Sequence, residues 1–499
     1  MTRPTRHTTR LVSSSFRAGC LLSGLVLFAC GGPEPADRVD PATDPLAGHS
    51  SALSTPGPVF DLGSIRDARS ADCRFEGERT LIKNGVALRV WNVSYLSWEW
   101  RDKEGALDAG LRPIRIRAFA ARPQAGSRLP AIVQAHGLGG FADENAATSS
   151  AARLGLFVLA YTGPGGGNKP DNTSEGKPAS DGSGRRMFDT LPDVRGSWFW
   201  GHTTAALRGL TCLATRSDVD DGKLGMTGMS AGAVATLLAS GVDDRIKAAV
   251  PLSGMLAWDE AVRSPNAWQH TLLTGAGLST ASPEWQALMS QLIDPKRALA
   301  GTRAALLLIN GSSDEFFPLT AQRATALGLP AGSSLRHSLI GNFDHGCYKL
   351  SGGESASTIE ARAVLHVEGG QRAFFRHHLL SDAAYPAIPR APQVLATAVG
   401  AATYVVAQVD RPAGYDIDEV RLWWSSDGAY LFSSQTLSGG SSGRYEKLVP
   451  LPLASASVYY VDVQYRTRSL LFPQRFAISS DPFVQSGLVP RIRAINTCL

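Results

Sequence analysis

Short apolar runs alternate with helical patterns along the middle of this 499-residue chain, and that alternation constrains the fold more than any other feature. The runs that indicate strands lie at 114–120, 129–137, 156–161, 223–228, 245–254, 303–311 and 334–341. Helical spacing is found at 143–155, 203–216, 233–241 and 357–380. Strands that alternate with helices form a mostly parallel sheet covered on both faces, so the sequence predicts a doubly wound α/β fold.

A serine stands at the tight corner where one of these strands meets the next helix. The corner is GMSAG, in which Ser230 has Gly228 and Gly232 two places to either side. In a G-x-S-x-G corner, the strained turn exposes the serine hydroxyl as a nucleophile. Glycine and serine are also common in ordinary turns, so the motif predicts an enzyme only if a base and an acid accompany it.

Both partners occur just beyond the ends of later strands. Asp314 follows strand 303–311, and His345 follows strand 334–341. Because binding and catalytic groups of such sheets gather beyond the carboxyl ends of the strands, we predict that these two residues meet Ser230 there.

Each partner has a neighbour of the same chemistry, which leaves an alternative open. Glu315 is a second carboxylate beside Asp314, and His337 is a second imidazole near His345. His337 lies inside a strand pattern, where packing explains it better than catalysis does.

Two backbone amides are the predicted donors for the oxyanion of an acyl-transfer intermediate. The strand 129–137 runs into HGLGG, in which the amide of Leu138 is the most suitable donor. The amide of Ala231, the residue after the serine, is the second.

The first thirty residues indicate export. A basic stretch without acids precedes AGCLLSGLVLFA, an apolar run too short to remain as a transmembrane helix. Its end, LFAC, resembles a bacterial lipobox, so residues 1–29 are predicted to be a lipoprotein signal peptide and Cys30 the lipidated residue. An ordinary signal peptide cut nearby is the alternative. Residues 30–58, rich in Pro, Gly, Asp and Ser, are predicted to form a flexible tether.

These features predict a lipid-anchored protein of the bacterial cell envelope. Gly31, rather than an aspartate, follows Cys30, which favours the outer membrane. The formal net charge is only +5, and beyond the N-terminus the cations are scattered, so no nucleic-acid partner is predicted.

The sequence pattern changes after a proline-rich stretch at 385–393. Short alternating strands with turns between them predict a small all-β sandwich over 392–499, behind a catalytic domain at 59–385. This module is predicted to bind polysaccharide or to be structural, because Trp423 and Trp424 suit either a binding face or a core.

Four cysteines beyond the leader, Cys73, Cys212, Cys347 and Cys498, allow three disulfide connectivities or buried free thiols. His377 and His378 have no spaced set of metal ligands around them, so no metal is predicted.

Two long insertions, 162–202 and 255–300, are predicted to overhang the strand ends. Trp198 and Trp200 in the first are predicted to pack, with a substrate cleft as the alternative.

Residues 59–380 resemble an α/β-hydrolase of the broad group that contains dienelactone hydrolases, acetylxylan esterases and prolyl-oligopeptidase-type peptidases. The segments that carry the resemblance are LPAIVQAHGLGG, ALRGLTCLATRSDVDDGKLGMTGMSAGA, DDRIKAAVPLSG, NGSSDEFFP and DHGCY.

The resemblance implies a serine esterase that needs no cofactor and acts on a small-molecule or glycan ester with a short acyl group. By the same resemblance, Ser230 is the nucleophile, His345 the general base and Asp314 its orienting acid. Ala233 follows Gly232 where many relatives have another glycine, and we expect no loss of catalysis from this difference.

Two other functions remain open. A serine peptidase uses the same triad, but the stretch between the tether and the HGLGG strand is too short for the propeller domain usual in prolyl-oligopeptidase-type enzymes. A non-catalytic surface-binding protein on a hydrolase scaffold has no need of the acid and the base that this chain carries.

Overall fold

The computed structural model describes residues 59–101, 110–179, 185–345, 354–440, 442–450, 456–468 and 472–492. The predicted signal peptide and tether, including Cys30, lie outside these residues. Within the described ranges, no helix is both long and apolar enough to cross a bilayer.

One sheet of fourteen strands contains most of the strands that the structure describes. Its first nine strands are β1 (Arg74–Lys83), β2 (Val86–Arg101), β3 (Gly110–Pro123), β4 (Leu129–Ala135), β5 (Phe157–Tyr161), β6 (Val219–Met229), β7 (Ile246–Leu252), β8 (Ala305–Gly311) and β9 (Leu335–Ile340). They lie in the order β1-β2-β3-β5-β4-β6-β7-β8-β9, antiparallel from β1 to β5 and parallel from β5 to β9. The mostly parallel, doubly wound arrangement of these nine strands confirms the predicted α/β-hydrolase fold.

Helices cover both faces of this sheet. The α-helices of the described residues are α1 (Leu62–Arg66), α2 (Ala68–Ala71), α3 (Glu144–Leu154), α4 (Trp198–Ala214), α5 (Ala231–Val242), α6 (Trp258–Ala261), α7 (Trp268–Gly275), α8 (Pro283–Ala287), α9 (Pro295–Ala298), α10 (Leu319–Leu327), α11 (Ala356–Val364) and α12 (Gly370–Phe375). Helices α4 and α5 share one apolar cluster with the sheet, and α3 and α12 share another. Strand β4 gives Val133 to the first cluster and Ile132 to the second, because successive side chains of a strand point to opposite faces.

The N-terminal hairpin is an element that the sequence analysis left unassigned. Strands β1 and β2 pair from Lys83 and Val86 outward, joined by Asn84 and Gly85, whose φ angles are 50° and 78°. An Asn-Gly pair between alternating strands is a strong hairpin signal, since both residues accept positive φ. The signal that identifies this hairpin is therefore present in the sequence.

The C-terminal strands extend the first sheet and add a second one. They are β10 (Gln393–Val399), β11 (Ala402–Gln408), β12 (Tyr415–Ser425), β13 (Ser433–Thr436), β14 (Ser438–Gly439), β15 (Arg444–Val449), β16 (Val458–Thr467), β17 (Arg475–Ser479) and β18 (Phe483–Val484). Strand β17 pairs with β9, and β16, β12 and β13 continue the sheet beyond it. The second sheet, in the order β10-β11-β15-β14, shares an apolar cluster with β12 and β16, so an all-β region follows the hydrolase fold as predicted.

The two predicted insertions pack together over the serine corner. Phe188 of the first insertion and Trp258 and Trp285 of the second belong to one apolar cluster. The same cluster includes Ala231, next to the serine, and Phe316, two residues after Asp314. Both insertions therefore cover the end of the sheet at which the predicted triad lies.

A disulfide joins Cys73, ahead of β1, to Cys212 in α4. Cys347 and Cys498 lie outside the described residues, so the structure decides between the predicted alternatives for Cys73 and Cys212 alone.

Replacing Cys73 and Cys212 together by alanine is expected to lower the free energy of unfolding by about 3 to 5 kcal/mol, since the bond closes a long loop in the unfolded chain. The two residues are 139 positions apart. Denaturant unfolding of parent and variant measures the difference, with the parent in reductant as a matched comparison. An unchanged midpoint would contradict the expectation.

Candidate active site

Ser230 occupies the corner between β6 and α5 with a φ of 57° and a ψ of −121°. Positive φ is uncommon for a residue with a Cβ and marks a strained turn. A Cβ at Gly228 would lie 2.4 Å from the carbonyl oxygen of Gly232, and one at Gly232 would lie 2.4 Å from that of Ala135. The amide of Ser230 donates to the carbonyl of Leu252 at 2.9 Å. Both glycines of the motif are thus required for the strand and the helix to approach each other this closely.

The structure brings the three predicted triad residues together. His345 Nε2 lies 2.8 Å from Ser230 Oγ, and His345 Nδ1 lies 3.2 Å from both carboxylate oxygens of Asp314. Ser230 and His345 keep 8% of their surface exposed, whereas Asp314 is 2% exposed. The hydroxyl and the imidazole therefore retain some access from outside, and the carboxylate is enclosed behind them.

Asp314 is held by the turn that follows it. Its Oδ1 accepts hydrogen bonds from the amides of Phe316 and Phe317, each at 2.9 Å. The ring centroids of Phe316 and Phe317 lie 4.2 and 5.5 Å from that of the His345 imidazole. A carboxylate fixed in this way can hold one tautomer of the imidazole, with the proton on Nδ1.

Three carboxylates surround His345. Burial is the largest single effect and lowers the pKa of its imidazole, but the charge and hydrogen bond of Asp314 together with the charges of Glu315 and Asp344 outweigh burial. The pKa of His345 is therefore raised above its ordinary value of 6.5.

Glu315, the alternative acid, has a different place in the site. Its Oε2 accepts a hydrogen bond from the backbone amide of His345 at 3.2 Å, so it contacts the main chain rather than the imidazole. Burial, with the charges of Asp344 and Asp314, raises the pKa of Glu315 to about 7. Asp314 is the carboxylate that faces Nδ1.

Replacing Glu315 by glutamine is expected to move the acidic limb of the pH profile of kcat/KM to lower pH. A general base must be neutral, and the variant removes one of the negative charges that raise the pKa of His345 while it keeps an acceptor for the His345 amide. Hydrolysis of an aryl acetate across the pH range measures the shift, with Glu284→Gln on α8 as the control. A limb that stays in place or moves upward would contradict this.

The two predicted oxyanion donors lie on segments that meet at Ser230. The amide of Ala231 opens helix α5, where the helix dipole favours negative charge. A Cβ at Gly137 would stand only 3.2 Å from that of Ser230, so the loop that carries Leu138 lies against Ser230. Among the described residues, neither the Leu138 nor the Ala231 amide donates to another group, which leaves both available to a substrate oxygen.

His136 fixes the start of that loop, a role the sequence analysis did not predict. Its Nε2 accepts a hydrogen bond from the amide of Gly163 at 2.8 Å, so Nδ1 carries the proton and donates to the carbonyl of Gly137 at 2.6 Å. Burial lowers the pKa of His136 to about 4, which keeps the imidazole neutral. The sequence feature that could have predicted this role is a histidine directly before a glycine at the end of a buried strand.

The tryptophans of the first insertion are buried as predicted. The ring of Trp198 stacks on His202 with 4.3 Å between centroids, and its Nε1 donates to the carbonyl of Pro164. Trp200 Nε1 donates to the carbonyl of Val59.

Trp198 also lines a cavity of about 230 Å³ together with Trp100 and several charged side chains. None of the three triad residues lines this cavity. The cavity is therefore separate from Ser230, Asp314 and His345. That Trp198 lines a substrate cleft stays a prediction.

The other histidines singled out in the sequence do not approach Ser230. His337 is 1% exposed and bonds to Gln322 and Asp481. His377 contacts the ring of His378 and the carbonyl of Tyr385. In the part of the chain that the structure describes, no cluster of three or more His, Cys, Asp and Glu side chains is arranged to hold a metal ion.

Residues 108–261, which include β4 to β6 and the serine corner, match the acetyl xylan esterase family. No curated protein sequence matches the chain.

Several solved structures are similar to this one at low sequence identity. An acetyl xylan esterase from Paenibacillus sp. R4 has 15% identity and a TM-score of 0.46, over 64% of this chain and 92% of that one. Acetyl xylan esterase 1 from Thermoanaerobacterium sp. JW/SL YS485 has 17% identity and a TM-score of 0.44, over 60% and 90% of the two chains. An acylaminoacyl peptidase from Pyrococcus horikoshii has 15% identity and a TM-score of 0.39, over 60% and 56%.

The sheet order, the strained serine corner and the family match over residues 108–261 agree with one another. Together they support a carboxylic ester hydrolase with an α/β-hydrolase fold.

Proposed function

We propose that the protein hydrolyses esters of short carboxylic acids, carried on carbohydrate, through an acyl-enzyme intermediate on Ser230. The observation that carries the proposal is the unbroken series of contacts from Ser230 Oγ through the imidazole of His345 to the carboxylate of Asp314. The short acyl group and the carbohydrate are supported by the name of the matching family, acetyl xylan esterase.

In the first half of the reaction, Ser230 Oγ attacks the carbonyl carbon of the ester while His345 Nε2 takes the hydroxyl proton. The negative oxygen of the tetrahedral intermediate accepts hydrogen bonds from the amides of Leu138 and Ala231. Asp314 keeps the imidazole in place and stabilises its positive charge. His345 then gives the proton to the departing alcohol oxygen, and the acyl group stays on Ser230.

In the second half, water takes the place of the alcohol. His345 removes a proton from the water as it attacks the acyl carbon, and the same two amides hold the oxyanion. The bond to Ser230 Oγ breaks, His345 returns the proton to that oxygen, and the carboxylic acid leaves. An ester suits these two reaction steps better than an amide does, because an alcohol is a better leaving group than an amine.

A substrate panel tests the proposal. We expect acetyl aryl esters to be hydrolysed faster than octanoyl esters, acetylated xylo-oligosaccharides to be deacetylated, and N-acyl aminoacyl anilides to stay intact. A fluorophosphonate probe should label the parent and not Ser230→Ala. Cleavage of the anilides alone would favour a serine peptidase, and no labelling with no turnover would favour a binding protein.

We further propose that Cys30 carries a lipid that anchors the enzyme in the bacterial envelope. The proposal is supported by the LFAC boundary behind a basic and apolar leader. Mass spectrometry of the protein expressed with its own leader in a Gram-negative host should find an acylated Cys30 at the mature N-terminus, and Cys30→Ala should leave the membrane fraction. An unmodified N-terminus elsewhere would overturn this.

A further inference from the structure

The loop that carries His345 is short and buried throughout. Residues 341–345 lead from the end of β9 to the imidazole, and each of them is buried. Part of the support comes from the segment after β8: the amide of Asn342 donates to Ser312 Oγ at 2.9 Å, and the amide of Ser313 donates to the carbonyl of Phe343 at 3.1 Å. These contacts join the two loops that carry the acid and the base.

A second set of contacts ties the same loop to the C-terminal β region. Asn342 Nδ2 donates to the carbonyl of Phe432 at 2.9 Å, and the amide of Phe432 donates to Asn342 Oδ1 at 2.8 Å. The side-chain amide thus pairs with one residue's backbone as a neighbouring strand would. Asn342 is 1% exposed and has a φ of 55°, a conformation that asparagine tolerates better than most residues.

Trp423 of β12 supports the residue before Asn342. A Cβ at Gly341 would lie 2.5 Å from the indole of Trp423, so the loop backbone rests directly on the ring. The guanidinium of Arg362 donates to the carbonyl of Gly341 at 2.7 Å and lies 4.5 Å over the same indole. Trp423 is 1% exposed, so it packs against the loop rather than presenting a binding face.

We infer that Asn342 is a positioning residue and that the C-terminal β region, through Phe432 and Trp423, holds the His345 loop in register with Ser230 and Asp314. The inference rests on the triad proposed above. Two residues lie between Asn342 and His345, so a loop released at Asn342 moves the imidazole. A misplacement of about 1 Å at a reacting group can cost about 100-fold in rate.

Measuring kcat per active site in variants of Asn342 tests the inference. In Asn342→Ala, which removes both bonds to Phe432 and the bond from Nδ2 to Glu354, we expect kcat on an aryl acetate, counted per site titrated with a fluorophosphonate, to fall by about 10- to 100-fold with little change in KM. Asn342→Asp keeps an acceptor for the Phe432 amide but replaces the Nδ2 donor by a carboxylate oxygen that faces Glu354, so kcat is expected to fall at least as far as in the alanine variant. If the alanine variant does not fold, the aspartate variant carries the test.

A matched control separates positioning from general stability. Tyr465→Phe removes a hydrogen bond to the carbonyl of Asp410 within the C-terminal region and should lower the melting temperature while kcat per active site stays at the parental value. In the Asn342 variants, a looser contact between His345 and Asp314 should also move the acidic limb of kcat/KM to lower pH, a change that loss of stability alone does not produce.

Two results would overturn the inference while leaving the proposed function intact: parental kcat per site in both Asn342 variants, or an equal loss in Tyr465→Phe. A parent enzyme that the probe does not label at Ser230 would overturn the triad and the inference together.

Discussion

Ser230→Ala and His345→Ala are each expected to lower the turnover of an aryl acetate by about 10⁴- to 10⁶-fold. The first change removes the nucleophile, and the second removes the only imidazole among the described residues that lies within hydrogen-bond distance of Ser230 Oγ. Because the two residues act as one unit, the double variant should be about as slow as either single variant.

Steady-state kinetics with circular dichroism as the check on folding measures these losses. His377→Ala is the control, since His377 lies near the end of the last helical segment of the hydrolase fold, hydrogen-bonds to the carbonyl of Tyr385 and contacts the ring of His378. Near-normal turnover in either Ser230→Ala or His345→Ala would show that the triad assignment is wrong.

Gly232→Ala is expected to lower turnover by about 100-fold and to destabilise the fold. The new Cβ would stand 2.4 Å from the carbonyl oxygen of Ala135 and 2.6 Å from that of His136, and neither backbone group can move without moving the oxyanion loop. The helix that carries the Ala231 amide must therefore retreat from the end of β4, and a displaced donor and nucleophile cost rate in the range stated.

The next residue along the chain provides the matched control. Ala233→Gly introduces the glycine that many α/β-hydrolases have at this position, and it adds no atom to the corner. We expect its turnover to stay within about threefold of the parent, with about 1 kcal/mol less stability from the weaker helix propensity of glycine. Equal losses in Gly232→Ala and Ala233→Gly would show that helix stability, rather than crowding at the corner, explains the effect.

Features that depend on a few neighbouring residues could be predicted from the sequence. The α/β alternation follows from runs of apolar residues, and the serine corner follows from two glycines around Ser230. Asp314 and His345 could be placed because each follows a strand that ends at the same edge of a parallel sheet. The β1–β2 hairpin is equally local, since Asn84 and Gly85 are its turn signal.

The choice between Asp314 and Glu315 required the tertiary structure. Adjacent residues on a turn point in different directions, and only the path of the loop after β8 decides which carboxylate faces the imidazole. Asp314 contacts His345 Nδ1, whereas Glu315 contacts the His345 amide. Asp314 and Glu315 are adjacent carboxylates at the end of the same strand, so their residue type and their distance from that strand in the sequence do not distinguish them.

By itself, the sequence determined the fold class, the strained corner and the placement of Ser230, Asp314 and His345 at one edge of the sheet, because each depends on local backbone preferences and on strand direction. Only the tertiary structure decided that Cys73 pairs with Cys212, that β17 continues the sheet beyond β9, and that Asn342 pairs with Phe432. Each of these contacts joins residues about 90 or more positions apart, and no local propensity selects such partners. They form because the packing of the whole sheet brings the two segments together, and the free energy of that packing is shared among many residues rather than recorded in any one motif.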